Sequence, residues 1–135
     1  MANIMYEKAI EAFGNAQINW PSDTIKAVLV DTGTYTVNGA THEFLSDIPS
    51  GARIVTSAAL TGKTNVLGVL DAADASWPAV TGLSGEAVVI FKDTGTAGTS
   101  RLIWYLDTAT GLPVTPNGGD INIVWDNGAN KIGRL

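Results

Sequence analysis

After the Trp20-Pro21 pair the chain is cut into short apolar runs separated by Gly, Thr, Asn and Asp, and this texture constrains the fold more than any other feature. Runs fall at residues 24–30, 52–58, 66–70 (interrupted by Gly68), 73–77 (ended by Pro78), 86–91, 101–106 and 120–126. The 24–30 and 86–91 runs are apolar at nearly every position, as expected of strands covered on both faces. The 120–126 run alternates and places Ile121, Ile123 and Trp125 on one face. Short strands with turn residues between them predict an all-β antiparallel sandwich of jelly-roll or immunoglobulin type.

One helix is expected ahead of the strands, over residues 3–14. Tyr6, Ile10 and Phe13 recur at helical spacing, with Glu7, Lys8 and Glu11 on the other side. Asn3 fits the N-cap, and Gly14-Asn15 supplies a stop. About three turns of helix are marginal alone in water, so the apolar stripe must pack on its own domain or on a neighbour. Thr41 to Ile48 adds one expected helical turn, capped by Thr41 and stopped by Pro49. The 135 residues read as a single domain, 1–135, and the chain has no cysteine to staple it. Burying about two-thirds of the unfolded surface is enough for one core.

Eight basic and thirteen acidic residues give a net charge of −5, which argues against nucleic acid or an anionic membrane as partner. With 45% hydrophobic and 16% charged residues, the composition is that of a folded chain. The first thirteen residues carry Glu7, Lys8 and Glu11, unlike a secretory signal, so assembly in a cytoplasm is expected.

Three apolar runs end in Asp-Thr: Asp31-Thr32-Gly33, Asp93-Thr94-Gly95 and Asp107-Thr108; a fourth ends in Asp126-Asn127-Gly128. An aspartate there accepts a backbone N–H two residues on, so each reads as a strand exit. The triplet also resembles the active-site motif of aspartic proteases, in which two aspartates share a proton. The third copy has Ala109 in place of Gly, which favours the turn explanation. His42 reads as a lone surface histidine. Gly62-Lys63-Thr64 has Ser57 where a phosphate loop requires glycine, and Asp71 and Asp74 match no calcium loop. Trp104 and Trp125 read as core; Trp20 and Trp77 lie at segment ends, where an exposed aromatic face would suit a glycan.

Taken together, residues 18–35 (INWPSDTIKAVLVDTGTY), 41–49 (THEFLSDIP), 86–95 (EAVVIFKDTG), 107–121 (DTATGLPVTPNGGDI) and 125–132 (WDNGANKI) resemble a family of small virion structural proteins of tailed bacteriophages. The resemblance implies a non-enzymatic protein without cofactor or metal. Its expected role is capsid decoration, clamping adjoining subunits on the outer shell as a homo-oligomer. The implied partners are the major capsid protein or other virion proteins, with no nucleic acid and no membrane. A tail or baseplate component is the second reading; a host-glycan-binding module and an aspartic protease are the others. For decoration, the expected contact regions are Tyr6, Ile10 and Phe13 on the helix and the loops at 31–38 and 94–100, with Asp31, Tyr35, Thr94 and Thr96.

Overall fold

Ten short strands and one helix make up the fold, here described from a computed structural model covering residues 3–126, 128–129 and 131–135. In chain order the first elements are β1 (Ile4–Met5), α1 (Glu7–Gly14), β2 (Ile25–Val30) and β3 (Arg53–Thr56). The hairpin strands β4 (Thr64–Val66) and β5 (Val69–Asp71) follow, then β6 (Ala75–Trp77), β7 (Ala87–Lys92), β8 (Arg101–Leu106), β9 (Ile121–Ile123) and β10 (Gly133–Arg134). They form three antiparallel sheets: β1-β8-β7-β2-β3, β10-β5-β4 and β6-β9. The molecule is therefore all-β with a short helix near its N-terminus.

The central strands form where the sequence is apolar on both faces. In β2, β7 and β8 nearly every residue is buried, so both sides of the large sheet are covered. The indole Nε1 of Trp77 donates to Ala27 O at 3.3 Å and lays β6 against β2. The ring of Trp104 on β8 takes β10 against it at Gly133. Trp20, Trp77, Phe91, Ile90, Leu102 and Ile103 are among the largest fully buried side chains. The alternation read over 120–126 holds: Ile121, Ile123 and Trp125 are buried, and Asn122 is exposed.

The N-terminal segment differs from the expected helix over 3–14. The helix begins at Glu7, with Tyr6 as N-cap. Ile4 and Met5 are instead an edge strand opposite Tyr105 and Trp104. Asn3 does not cap the helix; its side-chain oxygen accepts the Asp107 N–H at 3.0 Å. The face that packs inward carries Ala9 and Ala12, whose small side chains let the helix lie close, while Ile10 points outward. The turn expected at 41–48 is a 3-10 turn at Leu45–Asp47. Its start is held by Asp47, not Thr41: the Asp47 carboxylate accepts the N–H groups of Glu43 and Phe44 at 2.7 and 3.0 Å. The run at 66–70 is the turn and second strand of the β4–β5 hairpin, Gly68 lying in its two-residue turn. Asn127 and Asn130, in the 125–132 stretch of the resemblance, lie outside the described residues, as do Met1 and Ala2.

Candidate interaction surface

Three of the four aspartate turns behave as their sequence implies. Asp31 Oδ1 accepts the Gly33 N–H and Asp93 Oδ1 the Gly95 N–H, each at 3.0 Å; Asp126 Oδ1 accepts the Gly128 N–H at 3.2 Å. The Thr34 hydroxyl, and then the Gly33 N–H, hold the Asp31 carboxyl below the usual carboxylate range. For Asp93 the main cause of the same shift is Lys26, whose Nζ lies 2.8 Å away. These two aspartates do not form a protease pair. Ile25 pairs with Lys92 and Val30 with Ala87, so Asp31 and Asp93 leave opposite ends of the β2–β7 ladder. Six ladder pairs and the flanking residues separate them by roughly 20 Å, far beyond proton-sharing distance.

The tryptophans form no exposed platform. All four are buried, and three anchor the core through Nε1: Trp20 to Asp71 O, Trp77 to Ala27 O and Trp125 to Ala73 O. His42 is not a free surface histidine. It is half-buried, its Nδ1 accepts the Asn38 N–H at 3.2 Å, and the Tyr35 hydroxyl lies 2.8 Å from the same nitrogen. The Tyr35 hydroxyl also meets that of Tyr6 at 2.9 Å, making a relay of three side chains that runs from the core to half-buried His42. Lys63 of the discarded phosphate-loop motif donates to Asp23 O, and Asp74 accepts the Trp125 N–H. Among the described residues no cluster of His, Asp and Glu is arranged to hold a metal ion. No described helix is long and apolar enough to cross a membrane.

The residues expected at a contact face separate into four places. Tyr6 and Tyr35 are core residues, out of reach of a docked protein. Asp31, with its turn, and Thr94 and Thr96 lie at opposite ends of the large sheet. In the second of these loops the Thr94 hydroxyl contacts those of Thr99 and Ser100, at 2.5 and 3.2 Å. Ile10 and Phe13 alone share a surface, and it extends well beyond the helix. With Met5, Trp104 and Leu135 they line an open groove of about 530 Å³. Arg134 forms one wall of it and also borders a second groove of about 390 Å³, lined by Val66, Leu67 and Val69. Ile10, Val66, Leu67 and Leu135 are 54%, 64%, 90% and 49% exposed, so four large apolar side chains crowd this one side.

Local chemistry builds that side. Val66 pairs with Val69, leaving Leu67 and Gly68 as a two-residue turn with φ of 53° and 86°. Positive φ at both central residues is the hairpin geometry that Asn-Gly usually supplies, and leucine adopts it at a steric cost of about 1–2 kcal/mol. The turn is tied down by the Gly68 N–H to Asn65 Oδ1 at 3.0 Å and by the Leu135 N–H to Gly68 O at 2.8 Å. Leu67 is thus both strained and almost wholly in solvent. Only the Ile10 and Phe13 part of this surface was visible in the sequence; Leu67 lacks the Asn-Gly signature, and Trp104 and Leu135 join it through the fold. Compared with protein-family models and with curated proteins, the chain matches none.

Proposed function

We propose that the protein is a virion structural protein of a tailed bacteriophage, and that it decorates the capsid by burying surface against neighbouring virion proteins. The observation that carries this reading is the apolar side built by α1, β10 and the β4–β5 hairpin, where Ile10, Val66, Leu67 and Leu135 stand in solvent around two adjoining grooves. Exposed apolar residues gathered on one side, rather than scattered singly, suit a surface made to be covered. The residue stretches resembling phage virion proteins supply the context. Net charge of −5 suits the outside of a DNA-filled shell, away from packaged phosphate. Modest contacts repeated by symmetry over a shell add up through multivalency. The test is particle composition. Antibody labelling or peptide mass spectrometry of tail-less shells should find the chain on capsids. Label confined to tails favours the tail-component reading, and mature particles free of the chain overturn both.

A further inference from the structure

A polar recess lies at the end of the large sheet where Asp31 leaves β2. Val30 pairs with Ala87 and Val88 with Leu106, so the exit of β2, the entry of β7 and the exit of β8 lie side by side there. Thr32, Glu86 and Asp107, with Tyr35 and Tyr105, line a groove of about 370 Å³. That volume is within the range of small-ligand sites. Among the described residues it shares no lining residue with the two apolar grooves, and no lysine, arginine or histidine lines it.

Two groups in this groove have hydrogen-bonding capacity that the fold does not use. Glu86 Oε1 accepts the Thr32 N–H and hydroxyl at 3.0 and 3.1 Å, while no N–H or hydroxyl of the described residues donates to Oε2. Tyr105 is only 3% exposed, yet its hydroxyl has no hydrogen-bond partner among the described residues. Beyond burial, Asp107 and Glu86 raise its phenol, and both line the groove, which places the hydroxyl in the groove wall. A polar group so buried calls for a partner.

We propose that this groove binds a guanidinium group, presented as the arginine side chain of a partner protein, which donates one N–H to Glu86 Oε2 and another to the Tyr105 oxygen. Asp107 adds negative charge to the same recess. Carboxylate and phenol oxygens ask for a cation that brings its own N–H donors. A metal ion fits less well, since among the described residues no three acidic or histidine side chains are arranged to hold one. A saccharide also fits less well, because Tyr35 and Tyr105 are buried and offer no open ring face to stack on. The guanidinium fork matches carboxylate geometry and is more weakly hydrated than an ammonium, so it gives up less water on entering a recess. The site stands whether or not the chain coats a capsid.

Titration of N-acetyl-arginine amide into the isotope-labelled chain, followed by NMR at constant ionic strength, tests this. The backbone signals of Thr32, Glu86, Tyr105 and Asp107 should shift and saturate, while those of Ile10 and Leu67 stay still. Glu86→Gln keeps an acceptor for Thr32 and removes the charge. Tyr105→Phe removes only a hydroxyl that the fold leaves unused, so its urea midpoint should be no lower than the wild type's. Each change should raise the dissociation constant about tenfold or more, as loss of a hydrogen bond to a charged group does. The proposal is overturned by the absence of a saturable shift, or by binding indifferent to both changes. It is equally overturned if blocked lysine or neutral methyl glucoside shifts the same signals as strongly at the same concentration.

Discussion

Gly133 lies against the indole of Trp104 so closely that a Cβ at this glycine would fall 2.3 Å from the ring. The contact holds β10 onto β8 and so fixes Arg134 and Leu135 at the rim of the apolar groove. Trp104 is buried, so Gly133→Ala forces the ring and β10 apart in an overpacked contact. It should lower the unfolding free energy by about 1–3 kcal/mol. The urea midpoint measures this, and an unchanged midpoint contradicts the packing described.

The Tyr6–Tyr35–His42 relay gives a prediction of its own. Tyr35→Phe leaves the buried Tyr6 hydroxyl without its 2.9 Å partner and His42 without its 2.8 Å one. The cost should be about 1–3 kcal/mol. Because the two hydroxyls satisfy each other, Tyr6→Phe with Tyr35→Phe should cost less than the sum of the single changes. Strict additivity in a double-mutant cycle on chemical denaturation would contradict the shared bond.

The same residues set the alkaline behaviour. Burial pushes the Tyr6 phenol far above its ordinary value of 10.0 and Tyr35 up to about 12; burial, then Asp107 and Glu86, raise Tyr105 as well. These are all three tyrosines of the chain. A phenol whose folded-state pKa is raised stabilises the fold fully below 10.0, and that contribution is lost as pH climbs through the folded value. Tyrosinate absorbance of the folded protein should therefore rise later than that of free tyrosine, and stability should fall above pH 10. A titration midpoint at 10.0 in folded protein contradicts this.

Acid acts through Asp31, Asp47 and Asp93, all held below the ordinary 3.8. For Asp47 burial works the other way, and the N–H groups of Glu43 and Phe44 outweigh it. Depressed carboxylates stabilise the fold above the unfolded value, and the gain disappears as pH falls through their folded values. Unfolding free energy should decline from near pH 3.8 downward. Asp93→Asn removes the partly exposed Lys26 pair and should cost about 0.2–1 kcal/mol at neutral pH. It should also shallow the acid decline, and a decline as steep as the wild type's refutes Asp93's share.

Much of the frame was legible in the sequence because its signals are local. The runs at 24–30, 86–91 and 101–106 are apolar on both faces, and they became the three strands covered on both sides. The Asp-x-Gly exits were readable because the aspartate bonds only two residues on. The helix itself was legible, but its inward face was less so, because hydropathy favours large residues. Tyr6, Ile10 and Phe13 outweigh Ala9 and Ala12 on paper, yet close packing selected the alanines and left Ile10 in solvent. β1 was hidden because its pairing with β8 spans about a hundred residues and only two of its own. Leu67 gave no turn signal, and the relay through His42 joins segments that only the fold brings together.

The proposed virion role is measured most directly in a side-chain-resolution image of intact particles. Under that proposal copies lie on the outer capsid surface, with the side bearing Ile10, Leu67 and Leu135 covered by protein. Infectious particles lacking the chain, or copies whose α1 and hairpin side faces open solvent, would contradict it.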